Sequence, residues 1–118
     1  MPFSVTDFLE RAAAVYPRRV GAVDEPVQPA GSQGELTYAD IADLARRQAA
    51  ILDELDIAAG ERVAIVSHNS TRLLTSFYGV SGWDRVLVPI NFRLRPDEIS
   101  FIVEHSGARL ACNLFRHQ

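Results

Sequence analysis

The chain has 118 residues, one domain's worth, and its 47% hydrophobic content is that of a folded protein rather than a disordered one. Twelve basic residues against fifteen acidic ones leave a net charge of −3, which argues against a nucleic-acid partner. All twelve are arginine, so no chemistry that needs a lysine is open to this stretch, and the single Cys112 excludes a disulfide framework and a cysteine-rich metal site.

From the amino terminus, Ser4-Val5-Thr6-Asp7 resembles a capping box with Asp in the place of Glu. Val5, Phe8, Leu9, Ala12 and Tyr16 then share one helical face, and Pro17 stops the run. Asp7 and Glu10 break up any secretory signal. The longest plain apolar run, Ala12 to Tyr16, is far below the ~20 residues that span a bilayer. No membrane span and a cytoplasmic location are therefore expected, as the lone cysteine also suggests.

Val20 to Val23 reads as a short strand, followed from Asp24 to Gly34 by a surface loop rich in Pro, Gln, Gly and Ser. Thr37, with Asp40 three positions on, caps a second helix whose predicted buried stripe is Ile41, Leu44, Gln48, Ile51 and Leu55. Arg46, Arg47, Asp53 and Glu54 lie off that stripe. After a turn at Ala58-Ala59-Gly60 comes a buried strand, Val63 to Val66. Asn69 or Ser70 can then cap a helix with Leu73, Leu74, Phe77 and Tyr78 on its apolar face. Val86 to Val88 is a further strand, ended by Pro89. Pro96, Asp97 and Glu98 suit the start of a last helix and Gly107 its end, before a third strand at Leu110 to Cys112. Continuous apolar strands separated by helices predict an α/β fold: a partial parallel, Rossmann-like βαβαβ sheet preceded by two helices.

Searches for self-contained chemistry find little. The glycine pairs Gly79/Gly82 and Gly31/Gly34 fit no dinucleotide loop, and a Walker loop needs a lysine. Ser81 lacks the flanking glycines of a nucleophile elbow. His68, His105, His117 and Cys112 match no zinc spacing, and His105 suits the cation-favouring end of its helix. Asp97 and Glu98 are adjacent and diverge on a helix, so they form no acid–base pair, and the Arg18/Arg19 and Arg46/Arg47 pairs read as solvated surface. His68 differs from the other histidines: it sits at a strand's carboxyl end, where open α/β sheets place ligands. Asn91 and Arg93 occupy the equivalent place after the next strand.

Three segments stand in a telling order. Leu36-Thr37-Tyr38-Ala39-Asp40-Ile41, Gly60-Glu61-Arg62-Val63-Ala64-Ile65 and Val86-Leu87-Val88-Pro89-Ile90-Asn91-Phe92-Arg93-Leu94 resemble the start of an AMP-forming acyl-CoA synthetase, and Pro96 to Arg109 continues in the same wording. The resemblance implies the N-terminal portion of a larger AMP-binding domain, incomplete here, with the family wording lost over 112–118 as in a truncated chain. Full-length relatives would join a carboxylic acid to CoA, using ATP and magnesium, through an acyl-adenylate. No catalytic residue and no cofactor falls to these 118 residues alone. His68, Asn91 and Arg93 are the substrate-binding candidates, as lining of a ligand crevice. Trp83-Asp84-Arg85 replaces the small Ala-Gly step usual in the family. With no helix after the third strand, an uncovered sheet edge would favour self-association. Two other readings stay open: a stand-alone, non-catalytic α/β binding or interaction module, and an independent nucleotide-binding enzyme, the latter weakened by the missing phosphate loop.

Overall fold

A computed structural model describes residues 4–28 and 31–114. His117 and most of the segment that departs from the family wording lie outside the described residues.

The first helix, α1, spans Thr6–Val15. The Asp7 carboxylate accepts from the Ser4 N–H at 2.8 Å, but the Ser4 hydroxyl accepts from Thr6 at 3.3 Å, so the expected capping box is only half formed. Of the predicted apolar face only Leu9 is buried, with Ala13 packed beside it, whereas Phe8 and Tyr16 point outward. Strand β1, Val20–Val23, is as expected. A second strand, β2 at Glu35–Thr37, was not, and the two pair antiparallel as a small sheet of their own. A Cβ on Gly21 would come within 2.9 Å of the Tyr38 ring, so this sheet closes onto the next helix only because that residue has no side chain.

That helix, α2, spans Tyr38–Glu54 and opens with the predicted capping box: the Asp40 N–H donates to Thr37 Oγ1 at 3.1 Å, and the Thr37 N–H to Asp40 Oδ2 at 3.0 Å. Strand β3 (Arg62–Ser67), helix α3 (Thr71–Ser81), strand β4 (Val86–Asn91), helix α4 (Pro96–Ser106) and strand β5 (Leu110–Asn113) complete the βαβαβ unit. The three strands are parallel in the order β4-β3-β5, with Ile65 opposite both Pro89 and Cys112. Central β3 is buried on both faces. Val63 and Ile65 pack with Leu52, Ile57 and Val80, while Ala64 and Val66 join Ile90 under Ile99, Ile102 and Val103 of α4. Pro89 does not end β4; it lies within a strand at the sheet's edge, where a missing N–H is tolerated. Helix α4 starts at Pro96 and ends on Gly107 with φ 68°, both as the sequence indicates.

The helix faces correct the pattern reading. On α2 the buried residues are Ile41, Ala42, Ala45, Ala49 and Leu52, while Ile51 and Leu55 are half exposed. On α3 they are Thr71, Thr75, Ser76, Gly79 and Val80, with Leu74 and Phe77 turned outward. The reason is close helix packing through small side chains. A Cβ on Gly79 would stand 2.9 Å from Gln48 Cβ, and Gln48 Nε2 donates to the Ser76 hydroxyl at 2.9 Å. Alanines and a glycine let the helices approach; the larger residues are left on the flanks.

Trp83-Asp84-Arg85 now has a structural account. Asp84 adopts φ 65°, and its carbonyl accepts from the Gly60 N–H at 2.8 Å. Arg85 is buried, donating from Nε to the Ile57 carbonyl at 2.7 Å and pairing with Asp53. Trp83 packs against the cluster around Leu9 and Ala45. The bulky turn therefore ties the end of α2 to the strand starts.

Candidate functional site

The connection from β3 to β4 runs one way along the sheet and the connection from β4 to β5 runs back across β3, with α3 and α4 on opposite faces. The reversal itself falls between β3 and β5, while the carboxyl ends of β3 and β4, the end where open α/β sheets place ligands, form a cleft beside it. That cleft, of about 380 Å³, is floored by Ile65, Leu73 and Ile90 and rimmed by His68, Asn69, Asn91, Phe92 and Arg93. The three candidates drawn from the sequence thus meet in one cleft.

They are not equivalent. His68 follows β3 directly, and its Nε2 lies 3.0 Å from Gln28 Oε1, so Nε2 carries the proton. Its Nδ1 is buried with no hydrogen-bond partner. The Phe92 ring meets the imidazole edge-on at 5.9 Å between centroids. Asn91 closes β4, and its side-chain oxygen accepts from the Arg93 N–H at 2.9 Å, a turn-forming bond that commits it to holding the loop. Arg93 is exposed, its guanidinium 5.5 Å from the Phe92 centroid, with no carboxylate partner among the described residues. One side chain shapes the rim, one presents a cation and one an imidazole.

Asp24, which sequence reading passed over, holds this end of the molecule together. It is 6% exposed, and its carboxylate accepts from the Thr71 N–H at 2.8 Å, the Thr71 hydroxyl at 2.7 Å and the Gln33 N–H at 2.9 Å. Burial alone would raise its pKa; the hydrogen bonds from Gln28, Gln33 and Thr71 outweigh it and lower the value from 3.8 to about 2. Asp24 thus pins the loop after β1 onto the first turn of α3, beside His68. Nothing local marks it, because Thr71 lies 47 positions along the chain.

Gly79 and Gly82 are packing residues; a Cβ on Gly82 would stand 2.8 Å from Thr6 Cβ of α1. Cys112 is half-buried, which pushes its thiol pKa up and away from reactivity. Among the described residues no three His, Cys, Asp or Glu gather as a metal site. No helix among them is long and apolar enough to cross a membrane.

Residues 9–114 match the model of the AMP-binding enzyme family. The chain belongs to that family. It is 40% identical over 102 residues to the long-chain-fatty-acid–CoA ligase FadD13 of Mycobacterium tuberculosis, a match that spans 86% of this chain and 19% of that protein. A long-chain-fatty-acid–CoA ligase of Thermus thermophilus is 38% identical over 102 residues, 85% of this chain and 18% of its own. Among solved structures, the N-terminal domain of FACL13 from Mycobacterium tuberculosis superposes with a TM-score of 0.80 at 36% identity, over 95% of this chain and 27% of that one. The chain therefore matches the N-terminal region of AMP-forming fatty acyl-CoA ligases and spans about a fifth of the length of these curated relatives.

Proposed function

We propose that this chain forms the first layer of the large domain of an AMP-forming acid–CoA ligase, and that His68, Asn91 and Arg93 are its contribution to a ligand crevice. The observation that carries the reading is the convergence of these three side chains on one cleft at the carboxyl ends of β3 and β4. The reaction is that of the matched family: a carboxylate and ATP give an acyl-adenylate and pyrophosphate, then CoA displaces AMP to give the thioester. Both ATP and CoA carry phosphates, and Arg93, exposed and without a carboxylate partner among the described residues, is suited to meet one. His68 offers Nδ1 as an acceptor once the cleft rearranges around a ligand. Asn91 works through the loop it holds. Magnesium is the ion such a full-length ligase would use with ATP, its ligands shared between a carboxylate or two and the nucleotide's phosphates. A cytoplasmic setting goes with this reading and with the lone free thiol.

The outer strands β4 and β5 have no further neighbour among the described residues. In the proposed assembly the rest of the large domain covers that edge; without it the edge is open to a strand from a second copy.

On this reading the 118-residue chain alone neither activates an acid nor holds ATP. It has no lysine and no loop able to cradle a triphosphate. Carboxylate-dependent ATP–pyrophosphate exchange is expected at the level of a protein-free blank across fatty and aromatic acids, with no ATP binding heat by calorimetry. Exchange above the blank would show a self-sufficient enzyme and overturn the layer reading.

A further inference from the structure

A groove of about 360 Å³ runs between α2 and α3, lined by none of the residues of the cleft. Leu44 and Ile51 of α2, two turns or about 10 Å apart along the helix, form its apolar wall with Leu114. Ile51 is 55% exposed, so part of the stripe that the sequence pattern assigned to the core lines this groove instead. The facing wall is Arg72, Thr75 and Ser76 of α3. Two of the polar side chains here are committed: Gln48 Nε2 donates to the Ser76 hydroxyl, which donates in turn to the Arg72 carbonyl, both at 2.9 Å. Thr75 is not. It is 7% exposed, and its Oγ1 is buried with no hydrogen-bond partner. Arg72, its i,i+3 neighbour on the same helical face, is partly buried. Its guanidinium donates to the Gly31 carbonyl and has no carboxylate partner among the described residues. A buried hydroxyl without a partner and a cation without a counterion, set beside an apolar wall, ask for one thing: an anionic oxygen carried on an apolar body.

We propose that this groove binds a small monocarboxylate with an apolar body, its carboxylate accepting from the Arg72 guanidinium and the Thr75 hydroxyl and its body lying along Leu44, Ile51 and Leu114. The guanidinium gives the carboxylate charge-assisted bonds, and the apolar body removes the wall from water. An uncharged ligand of the same shape leaves Arg72 without its counterion. A second copy presenting the same groove is a poor occupant, since it sets one Arg72 against another. The acid is held here, not activated, so the inference needs neither the cleft nor any step of the ligase reading.

The test is calorimetric titration of the full chain with octanoate, with octanol as the uncharged control and a thermal melt of each variant. Octanoate is expected to saturate a single site, about fourfold more tightly for each methylene added from butanoate upward. Octanol should bind roughly tenfold more weakly or less well still. Thr75→Val keeps the shape and loses only an unpartnered hydroxyl, so its melting temperature should hold or rise while octanoate binding falls roughly tenfold. Arg72→Gln should erase the preference for octanoate over octanol. A chain that takes up no octanoate, that binds octanol equally well, or that binds octanoate unchanged in both variants overturns the inference. Octanoate binding that is lost with Arg93→Gln instead places the acid in the cleft and also overturns it. So does a dimer, seen by light scattering and abolished by Ile51→Ser, that shuts octanoate out.

Discussion

Ile65→Asp leaves no folded protein. Ile65 is 1% exposed at the centre of the middle strand, among Leu52, Ile57, Val63 and Val80. Its core neighbours are all apolar, and an ionised carboxylate buried among them costs several kcal/mol or more. That is comparable to the whole stability of a domain, about 5–15 kcal/mol. Leu87→Asp is milder, because Leu87 is half-buried on edge strand β4. Arg47→Ala is the control: Arg47 is mostly exposed, and its i,i+4 pair with Asp43 is worth about 0.5 kcal/mol at most. Soluble yield and a thermal melt should rank Arg47→Ala as wild type, Leu87→Asp as weakened and Ile65→Asp as insoluble. Equal behaviour of all three would show that β3 is not the buried centre.

Asp24→Ala is expected to cost about 2–4 kcal/mol at neutral pH. It removes the acceptor for two backbone N–H groups and a hydroxyl, and bonds of this charged kind are worth about 1.5–3 kcal/mol each before partial replacement by water. The pKa gives an independent figure: a fall from 3.8 to about 2 corresponds to about 2 kcal/mol of preference for the ionised form in the folded chain. Because the folded value lies below the unfolded one, this contribution is complete above about pH 4 and is lost as the pH drops towards 2. Urea unfolding at pH 7 and at points between 4 and 2 should show the wild type losing its advantage over Asp24→Ala across that window. A constant gap would mean that the carboxylate's charge is not what binds the loop to α3.

Signals that act over a few residues were legible in the sequence. Thr37 and Asp40, Pro96 and Gly107 mark helix ends by chemistry that involves only near neighbours, and each is found where the pattern places it. The strands after Gly60, Asp84 and Ala108 were legible because each carries an unbroken apolar run, although only β3 is buried on both faces and the outer strands β4 and β5 are partly exposed. Helix faces were not. Hydrophobicity pointed to Leu44, Leu74 and Phe77, but α2 and α3 meet through Ala45, Ala49, Ser76 and Gly79, whose advantage is size. Strand β2 was hidden because three residues are too few to show alternation. For the site, position along the strands brought His68, Asn91 and Arg93 to one cleft. What stayed hidden was the division of labour, since the turn bond of Asn91 and the clamp from Asp24 depend on where atoms sit in space.

The central claim, that this chain is the first layer of an acid–CoA ligase, is tested most directly by exchanging layers. Residues 9–114 replace the matching segment of the Mycobacterium tuberculosis ligase, and palmitate-dependent ATP–pyrophosphate exchange is measured beside the parent. The account predicts a folded chimera that keeps exchange within about tenfold of the parent, about 1.4 kcal/mol of transition-state stabilisation. A chimera that folds with the parent's melting behaviour yet shows only blank-level exchange would contradict it.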